Sequence, residues 1–188
     1  MKRVAKTYFA ILLTAFLSLG FSACDSFPQN GFIFDEKTFN SEWNKWESGN
    51  VLDYSFTLTG QFPYWDMARA ILMFDYEAHI IVRNGVLDSF EYVGENVPYR
   101  EGVILTPEFT SISDLYRKIS DSADKEKAWW SNNSGRGIIS TAFNVKYDSQ
   151  LHYITFFEPL SRWKPGWIVD TTAHAVRISN FTVLEDKR

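Results

Sequence analysis

The amino-acid sequence predicts an α+β fold, a mostly antiparallel β-sheet built from hairpins and a meander, with two helices packed on one face. Three observations lead to this prediction. Asn84-Gly85 stands between two apolar runs, the segment "YSFTLT" alternates apolar with polar residues, and two helical stripes each precede a group of strands. The order helix, meander, helix, meander is typical of α+β domains, whose antiparallel sheets bury one face and leave the other wet.

The first helix is predicted by a start signal, a stripe and a stop signal. Asp35 is a residue type that caps helices, and Gly49 fits the end of one. Between them Phe39, Trp43 and Trp46 lie at i, i+4 and i+7, which places them on one face. The sequence therefore predicts a helix that buries this aromatic stripe.

The first group of strands follows from alternation and from turn chemistry. In "YSFTLT" the residues Tyr54, Phe56 and Leu58 share one side, which indicates a half-buried strand. Asn84-Gly85 predicts a tight hairpin, because both turn residues need positive φ. The strand before this turn extends back through "MFDYEAHIIV" and places five residues on one face: Phe74, Tyr76, Ala78, Ile80 and Val82.

A second helix is predicted in "SISDLYRKI". Ser111 and Asp114 have the spacing of a capping box, and Ile112, Leu115 and Ile119 form one stripe. Three further strands are predicted in "AFNVKYD", "LHYITFF" and "AHAVRISNFTV", and the turn at residues 148–150 pairs the first two as a hairpin.

The N-terminal segment has the pattern of an export signal. Basic residues in "MKRVAK" are followed by fifteen uncharged residues, "TYFAILLTAFLSLGF". That run is shorter than the roughly 20 apolar residues that a spanning helix needs. We therefore expect residues 1–23 to be a signal peptide rather than a permanent membrane span.

The chain has a single cysteine, Cys24, at the end of this run. The segment "FSAC" resembles a bacterial lipobox, with Phe21 in place of the usual leucine. The resemblance implies cleavage before Cys24, thioether lipidation of its sulfur and acylation of the new amino group. Ordinary signal-peptidase cleavage before Ala23 is the alternative. Asp25 resembles an inner-membrane retention signal, but the choice of membrane stays open.

Cysteine count and charge limit what the mature chain can be. One cysteine allows no internal disulfide, so the fold must be held by burial alone. Removal of residues 1–23 leaves 165 residues, enough for one core, and changes the formal net charge from −4 to −7. An acidic surface does not suit nucleic acid. We expect a lipid-anchored tether at residues 24–34 and a single α+β domain at residues 35–188.

Several segments resemble the domain-of-unknown-function family 6174, a family of bacterial envelope domains. The segments are "FNSEWNKWESGNVLDYSFTL", "VRNGVL", "SISDLYRKI", "FNVKYDSQLHYITFF" and "ISNFTV", within residues 39–183. The family's usual Gly-Tyr-Pro after Tyr-Asp is replaced here by "SQLHY". The resemblance implies a domain of the bacterial cell envelope and brings no assigned activity and no catalytic residues.

Metal and catalytic signals are weak. Asp75, Glu77 and His79 share one strand face at about 6.8 Å spacing, which makes them candidate metal ligands. Their pattern fits better a solvated stripe of charge on the open face, because metal sites draw ligands from several elements. No nucleophile elbow occurs in the sequence. We predict no catalytic residues and no cofactor.

Aromatic content is the unusual feature, 17% with seven tryptophans. Trp65, Trp129, Trp130, Trp163 and Trp167 are not explained by periodicity and are predicted to lie between elements. One hypothesis is that they cover sheet edges and fill the core of a disulfide-free domain. The other is that they form an aromatic rim that binds a peptide, a glycan or an envelope protein.

The sequence therefore favours a lipid-anchored envelope protein that acts by binding or interaction. Two alternatives stay open. An envelope hydrolase would use carboxylates or a histidine–metal site in a cleft. A structural tether would have no ligand at all.

Overall fold

The computed structural model describes residues 31–65, 71–95, 97–100, 103–104, 106–133, 138–163 and 175–185. Within them the chain forms two α-helices, α1 (Glu36–Gly49) and α2 (Ile112–Asn133). The strands are β1 (Gly31–Ile33), β2 (Tyr54–Trp65), β3 (Ile71–Arg83), β4 (Val86–Val93), β5 (Tyr99–Arg100), β6 (Val103–Ile104), β7 (Ile138–Tyr147), β8 (Ile154–Trp163) and β9 (Val176–Val183). The predicted signal peptide at residues 1–23 and Cys24 lie outside the described residues.

Seven strands form one sheet in the order β1-β7-β8-β9-β2-β3-β4, while β5 and β6 pair separately. Neighbours in the large sheet are antiparallel except β1 and β7, which are parallel. The predicted α+β fold with a mostly antiparallel sheet is thus confirmed, as a mixed sheet. Helix α1 precedes the meander β2-β3-β4, helix α2 precedes β7-β8-β9, and the β9–β2 pairing joins the two halves.

Helix α1 begins and ends close to the predicted positions. The Asp35 carboxylate accepts a hydrogen bond from the backbone N–H of Thr38 at 3.0 Å, as a cap should. Phe39 and Trp46 are buried. The helix stops after Gly49, but the residue that takes the left-handed conformation is Asn50, with φ of 49°. The stop is therefore made by asparagine, the other residue type that tolerates this conformation.

The β3–β4 hairpin is the predicted one. Asn84 and Gly85 have φ of 52° and 76°. The segment before β2 holds this turn in place. The Asn84 N–H donates to the Asp53 carboxylate and the Gly85 N–H donates to the Leu52 carbonyl, both at 2.9 Å. One face of β3 packs into the core as predicted, with four residues buried: Tyr76, Ala78, Ile80 and Val82.

Strand β2 differs from the half-buried strand predicted for it. Tyr54, Phe56 and Leu58 are buried, but Ser55 and Thr57 on the other side are buried as well. Because β2 is an inner strand, its short side chains lie between two neighbouring strands, and the register places the larger Ile81 opposite Ser55 and the larger His79 opposite Thr57. Alternation identified the strand but not its depth in the sheet.

Helix α2 has the predicted capping residues and a greater length. The Ser111 hydroxyl accepts from the Asp114 N–H at 3.0 Å, while the Asp114 carboxylate reaches the N–H of Thr110, one residue before Ser111. The helix then runs for 22 residues, past the predicted end at Ile119. Trp129 and Trp130 therefore lie on a helix, and the prediction that they fall between elements was wrong.

The β7–β8 hairpin is confirmed, but its connection is longer than predicted. Residues 148–153 form the loop, and β8 begins at Ile154, so Leu151, His152 and Tyr153 are not in the strand. The Asp148 carboxylate accepts from the N–H groups of Gln150 and Leu151 at 2.9 and 2.6 Å. His152 has φ of 63°, a conformation that a strand does not contain.

The segment predicted as a tether at residues 24–34 contains a strand. Residues 31–33 form β1, whose register with β7 pairs Gly31 with Ser140 and Phe32 with Thr141. Phe34 then packs against the core. The sheet therefore begins before the predicted domain start at residue 35, and this pairing is what makes the sheet mixed rather than wholly antiparallel.

Candidate binding site

Two of the five tryptophans that periodicity did not explain are the last residues of strands. Trp65 is the last residue of β2 and Trp163 the last of β8, so both lie within elements rather than between them. Because β9 lies between β2 and β8 and is antiparallel to both, those strands run in the same direction. Trp65, Trp163 and the first residue of β7, Ile138, therefore reach the same end of the sheet, here called the tryptophan end. Trp167 lies outside the described residues.

Trp129 and Trp130 lie in the last part of α2 and join the same end. Their rings meet edge to face, with centroids 5.2 Å apart and an interplanar angle of 84°. Both side chains are half-buried. The Trp130 Nε1–H donates to the Thr141 hydroxyl at 3.4 Å, which ties the helix to the start of β7.

Glu126 stands one helical turn before these indoles. Its carboxyl group interacts with the side chain of Thr141, the residue that also accepts from Trp130. Burial raises the pKa of Glu126, and the hydrogen bond with Thr141 offsets part of this rise. Thr141 is itself buried. The tryptophan end therefore carries an aromatic pair beside a partly buried carboxyl group.

The three candidate metal ligands predicted from the sequence do not form a metal-binding cluster with residues from other elements in the described part of the chain. Asp75 and Glu77 are exposed, His79 is half-buried, and all three lie on β3. The Asp75 carboxylate accepts from the Gln61 amide at 2.7 Å. Among the residues that the structure describes, no group of three His, Cys, Asp or Glu side chains is placed to hold a metal ion.

A cleft lies at the opposite end of the sheet, where β2 starts and the Asn84-Gly85 turn sits; we call it the hairpin end. Its volume is about 380 Å³. One wall is apolar and consists of Trp43 from α1 with Val86 and Leu87 from β4. Val86 is 64% exposed and Leu52, beside the Gly85 turn, is 45% exposed. An open cleft with an apolar wall and a few polar groups is the usual form of a ligand site.

The other wall of the cleft is the start of α2, from Thr110 to Arg117. Asp114 there pairs with Arg117 at 2.5 Å and with Lys118 at 3.3 Å. Burial raises the pKa of the Asp114 carboxyl, but hydrogen bonds from Thr110 and Arg117 and the charge of Lys118 outweigh it and lower the pKa overall. The group is therefore an ionised carboxylate held by two cations at the polar end of the cleft.

Trp43 is held in place by a hydrogen-bond chain between the helices. Its Nε1–H donates to the Glu47 carboxylate at 3.1 Å, and that oxygen also accepts from the Ser113 hydroxyl at 2.8 Å. The Ser113 oxygen accepts from Trp46 Nε1 at 3.1 Å. The Trp43 ring also stacks on Tyr116, with centroids 5.7 Å apart at 8°. The indole that lines the cleft is thus preorganised.

The pair formed by Glu42 and His152 lies beside this chain. Glu42 Oε2 is 2.8 Å from His152 Nδ1, and its other oxygen accepts from Lys45 at 2.6 Å. The Tyr116 hydroxyl donates to the His152 carbonyl. Each partner is already engaged by a neighbouring side chain, so the pair links α1 to the β7–β8 loop.

Sequence reasoning did not find the cleft. It assigned Trp43 to a buried stripe and Asp114 to a cap, and both assignments describe only part of what these residues do. The available signal was the apolar pair Val86-Leu87 directly after a two-residue turn, where solvent exposure is expected. Arg117, three residues after Asp114 on the helix, was the second signal.

Comparisons with known proteins add no identity: no family model, curated protein or solved structure matches this chain. None of the helices in the described part of the chain is both long and apolar enough to cross a bilayer.

Proposed function

We propose that this protein is a lipoprotein of a bacterial cell envelope whose α+β domain is a binding module. The cleft at the hairpin end is its binding site. The observation that carries the binding role is this cleft, which combines a fixed indole, exposed aliphatic residues and an ionic end within about 380 Å³. The ligand class is an apolar group with a polar or anionic end, supplied by a peptide, a glycan or an envelope protein.

The anchoring part of the proposal rests on the sequence around Cys24. A basic segment, an apolar run and the lipobox-like "FSAC" occur together in the order that lipoprotein processing needs. Labelled fatty acid should enter the full-length protein and should be absent from Cys24→Ala. Equal labelling of the two proteins would show that the anchor is wrong.

We also propose that both helices cover the sheet face that carries Tyr54 and Ile80. The buried cluster supports this arrangement, since it contains Phe39 and Trp46 from α1 and Leu115 from α2 beside those strand residues. The face with Phe156, flanked by Lys146 and Arg177 at 5.4 and 5.0 Å from its ring, would then be the open one.

The binding role is tested with two matched positions on β4. Val86 at the cleft is 64% exposed and Val93 at the far end of the strand is 50% exposed. A photo-crosslinking amino acid placed at position 86 in cells should give a discrete adduct that grows to saturation, and the same residue at position 93 should not. Identical adducts at both positions, or none at 86, would favour a structural tether without a ligand.

A further inference from the structure

We propose that the tryptophan end of the sheet lies in the headgroup region of the membrane that holds the Cys24 lipid. This inference rests on the proposed anchor. It names the membrane as the partner of the described tryptophans at this end, and it directs the cleft at the hairpin end away from the bilayer.

The first argument is the length of chain between the anchor and the sheet. Seven residue steps separate Cys24 from Gly31, the first residue of β1. A fully extended chain of that length spans at most about 25 Å. Gly31 pairs with Ser140, two residues after the start of β7, so β1 enters the sheet near the tryptophan end.

The second argument compares that reach with the size of the sheet. Strand β2 has 12 residues and reaches from the hairpin end to the tryptophan end. At about 3.4 Å per residue its length is roughly 40 Å. The tether is therefore shorter than the sheet, which holds the tryptophan end near the bilayer and leaves the cleft farther away.

The third argument is the chemistry of the tryptophan end. Trp65 and Trp163 finish their strands there, and of the half-buried pair Trp129 and Trp130 the second donates to Thr141. Thr141 is the register partner of Phe32 in β1, one residue after the point where the chain enters. Tryptophan concentrates at membrane–water interfaces, because its ring is apolar and its N–H needs a polar partner.

The net charge of the protein indicates which headgroup charge it would tolerate. The mature chain would carry a net charge of −7, and the carboxyl group of Glu126 lies beside the indoles. An anionic surface repels a chain with this net charge, and each charge close to the surface contributes about 1 kcal/mol. The structure therefore fits zwitterionic headgroups, with the lipid on Cys24 providing attachment.

The test uses the full lipidated protein in vesicles whose lipids carry bromine near the headgroup end of the acyl chain, a short-range quencher of tryptophan emission. In phosphatidylethanolamine vesicles we expect part of the emission to be quenched. The variant Trp129→Phe/Trp130→Phe should lose a large share of that quenched emission. The control Trp43→Phe, a half-buried indole at the hairpin end, should keep all of it. Vesicles rich in phosphatidylglycerol should quench less.

The same quenched emission in Trp129→Phe/Trp130→Phe and wild type, or its loss in Trp43→Phe instead, would overturn the orientation. If that double variant does not fold, Trp65→Phe/Trp163→Phe at the same end is measured with the same criterion. Fatty-acid labelling separates the two failures. A labelled protein with the wrong quenching pattern refutes this inference alone, whereas an unlabelled protein refutes the anchor on which it rests.

Discussion

The hydroxyl oxygen of Tyr54, the first residue of β2, accepts a hydrogen bond of 3.0 Å from the backbone N–H of Ile112, the first residue of α2. Tyr54 is 1% exposed, so this bond replaces solvent for both groups. An N–H in the first turn of a helix has no partner within the helix. A residue from the first half of the chain thus completes the start of the helix that opens the second half.

We expect Tyr54→Phe to lower the free energy of unfolding by about 1–3 kcal/mol, because the Ile112 N–H stays buried without an acceptor. Urea unfolding measures this. The matched control is Tyr153→Phe, since Tyr153 also stacks on Phe181 but leaves the Ile112 bond intact. Losses of equal size in the two variants would contradict a special role for the hydroxyl.

Alkaline pH should destabilise the protein through its buried tyrosines. Burial raises the pKa of Tyr54 to about 12 and that of Tyr92 to about 12. A tyrosine in the unfolded chain titrates near about 10. The unfolded state therefore releases protons first, so this stability is complete below about pH 10 and is lost as the pH rises towards 12. Unfolding free energies between pH 8 and pH 12 measure it, and Tyr54→Phe should show the shallower decline.

The carboxylate of Asp114 should contribute stability that depends on pH in the opposite sense. Its folded pKa is lowered overall, so the contribution is present above about pH 4 and is lost as the pH falls through the folded pKa. At pH 7 Asp114→Asn should cost up to about 1 kcal/mol, because the neutral amide loses the ion pairs with Arg117 and Lys118. The cost should shrink at pH 3. Asp121→Asn, an exposed site on the same helix, should change little at either pH.

Substitutions at Asn50 test whether the end of α1 needs a residue that tolerates the left-handed conformation. Asn50 has φ of 49°, a conformation that costs most L-residues about 1–2 kcal/mol. Asn50→Gly should leave the melting temperature unchanged or raise it slightly, and Asn50→Val should lower it by several degrees. Calorimetry of the two variants decides. A valine variant as stable as the glycine variant would show that the helix end relaxes.

A substitution at Gly60 tests how closely the Tyr76 side chain packs against the backbone of β2. It is the register partner of Tyr76, and a Cβ added at Gly60 would lie 3.0 Å from the Tyr76 oxygen and 3.1 Å from the ring carbon that bears it. Tyr76 is buried, so Gly60→Ala should cost about 1–3 kcal/mol through overpacking. Gly49→Ala is the control, because its Cβ would meet only Val51 at 3.9 Å. Equal unfolding free energies for the two variants would contradict this packing.

Tertiary structure changed the boundaries of the strands that contain proline. Trp65 was predicted to lie between elements, and Pro63, two residues before it, is a residue type that inner strands exclude. Within the described residues, β9 pairs with β2 as far as Thr59, and Pro63 lies beyond that ladder while pairing with Met73 of β3. Pro159 in β8 likewise pairs with Phe143 of β7 and lies beyond the described part of the β8–β9 ladder. Where each neighbour stops cannot be read from one strand's own residues.

The local elements were determined by the sequence itself. The Asp35 cap, the Asn84-Gly85 turn and the Ser111 cap were predictable because each involves atoms within a few residues of one another, where backbone geometry leaves few solutions. The buried stripes of α1, β2 and β3 followed from periodicity for the same reason.

Long-range placement was decided by the tertiary structure. The parallel pairing of β1, the burial of Ser55 and Thr57, the cleft around Trp43 and the gathering of tryptophans at one end of the sheet depend on strand order and register. These arise when distant segments bury their apolar faces together, and no short window of residues encodes which neighbour each will meet.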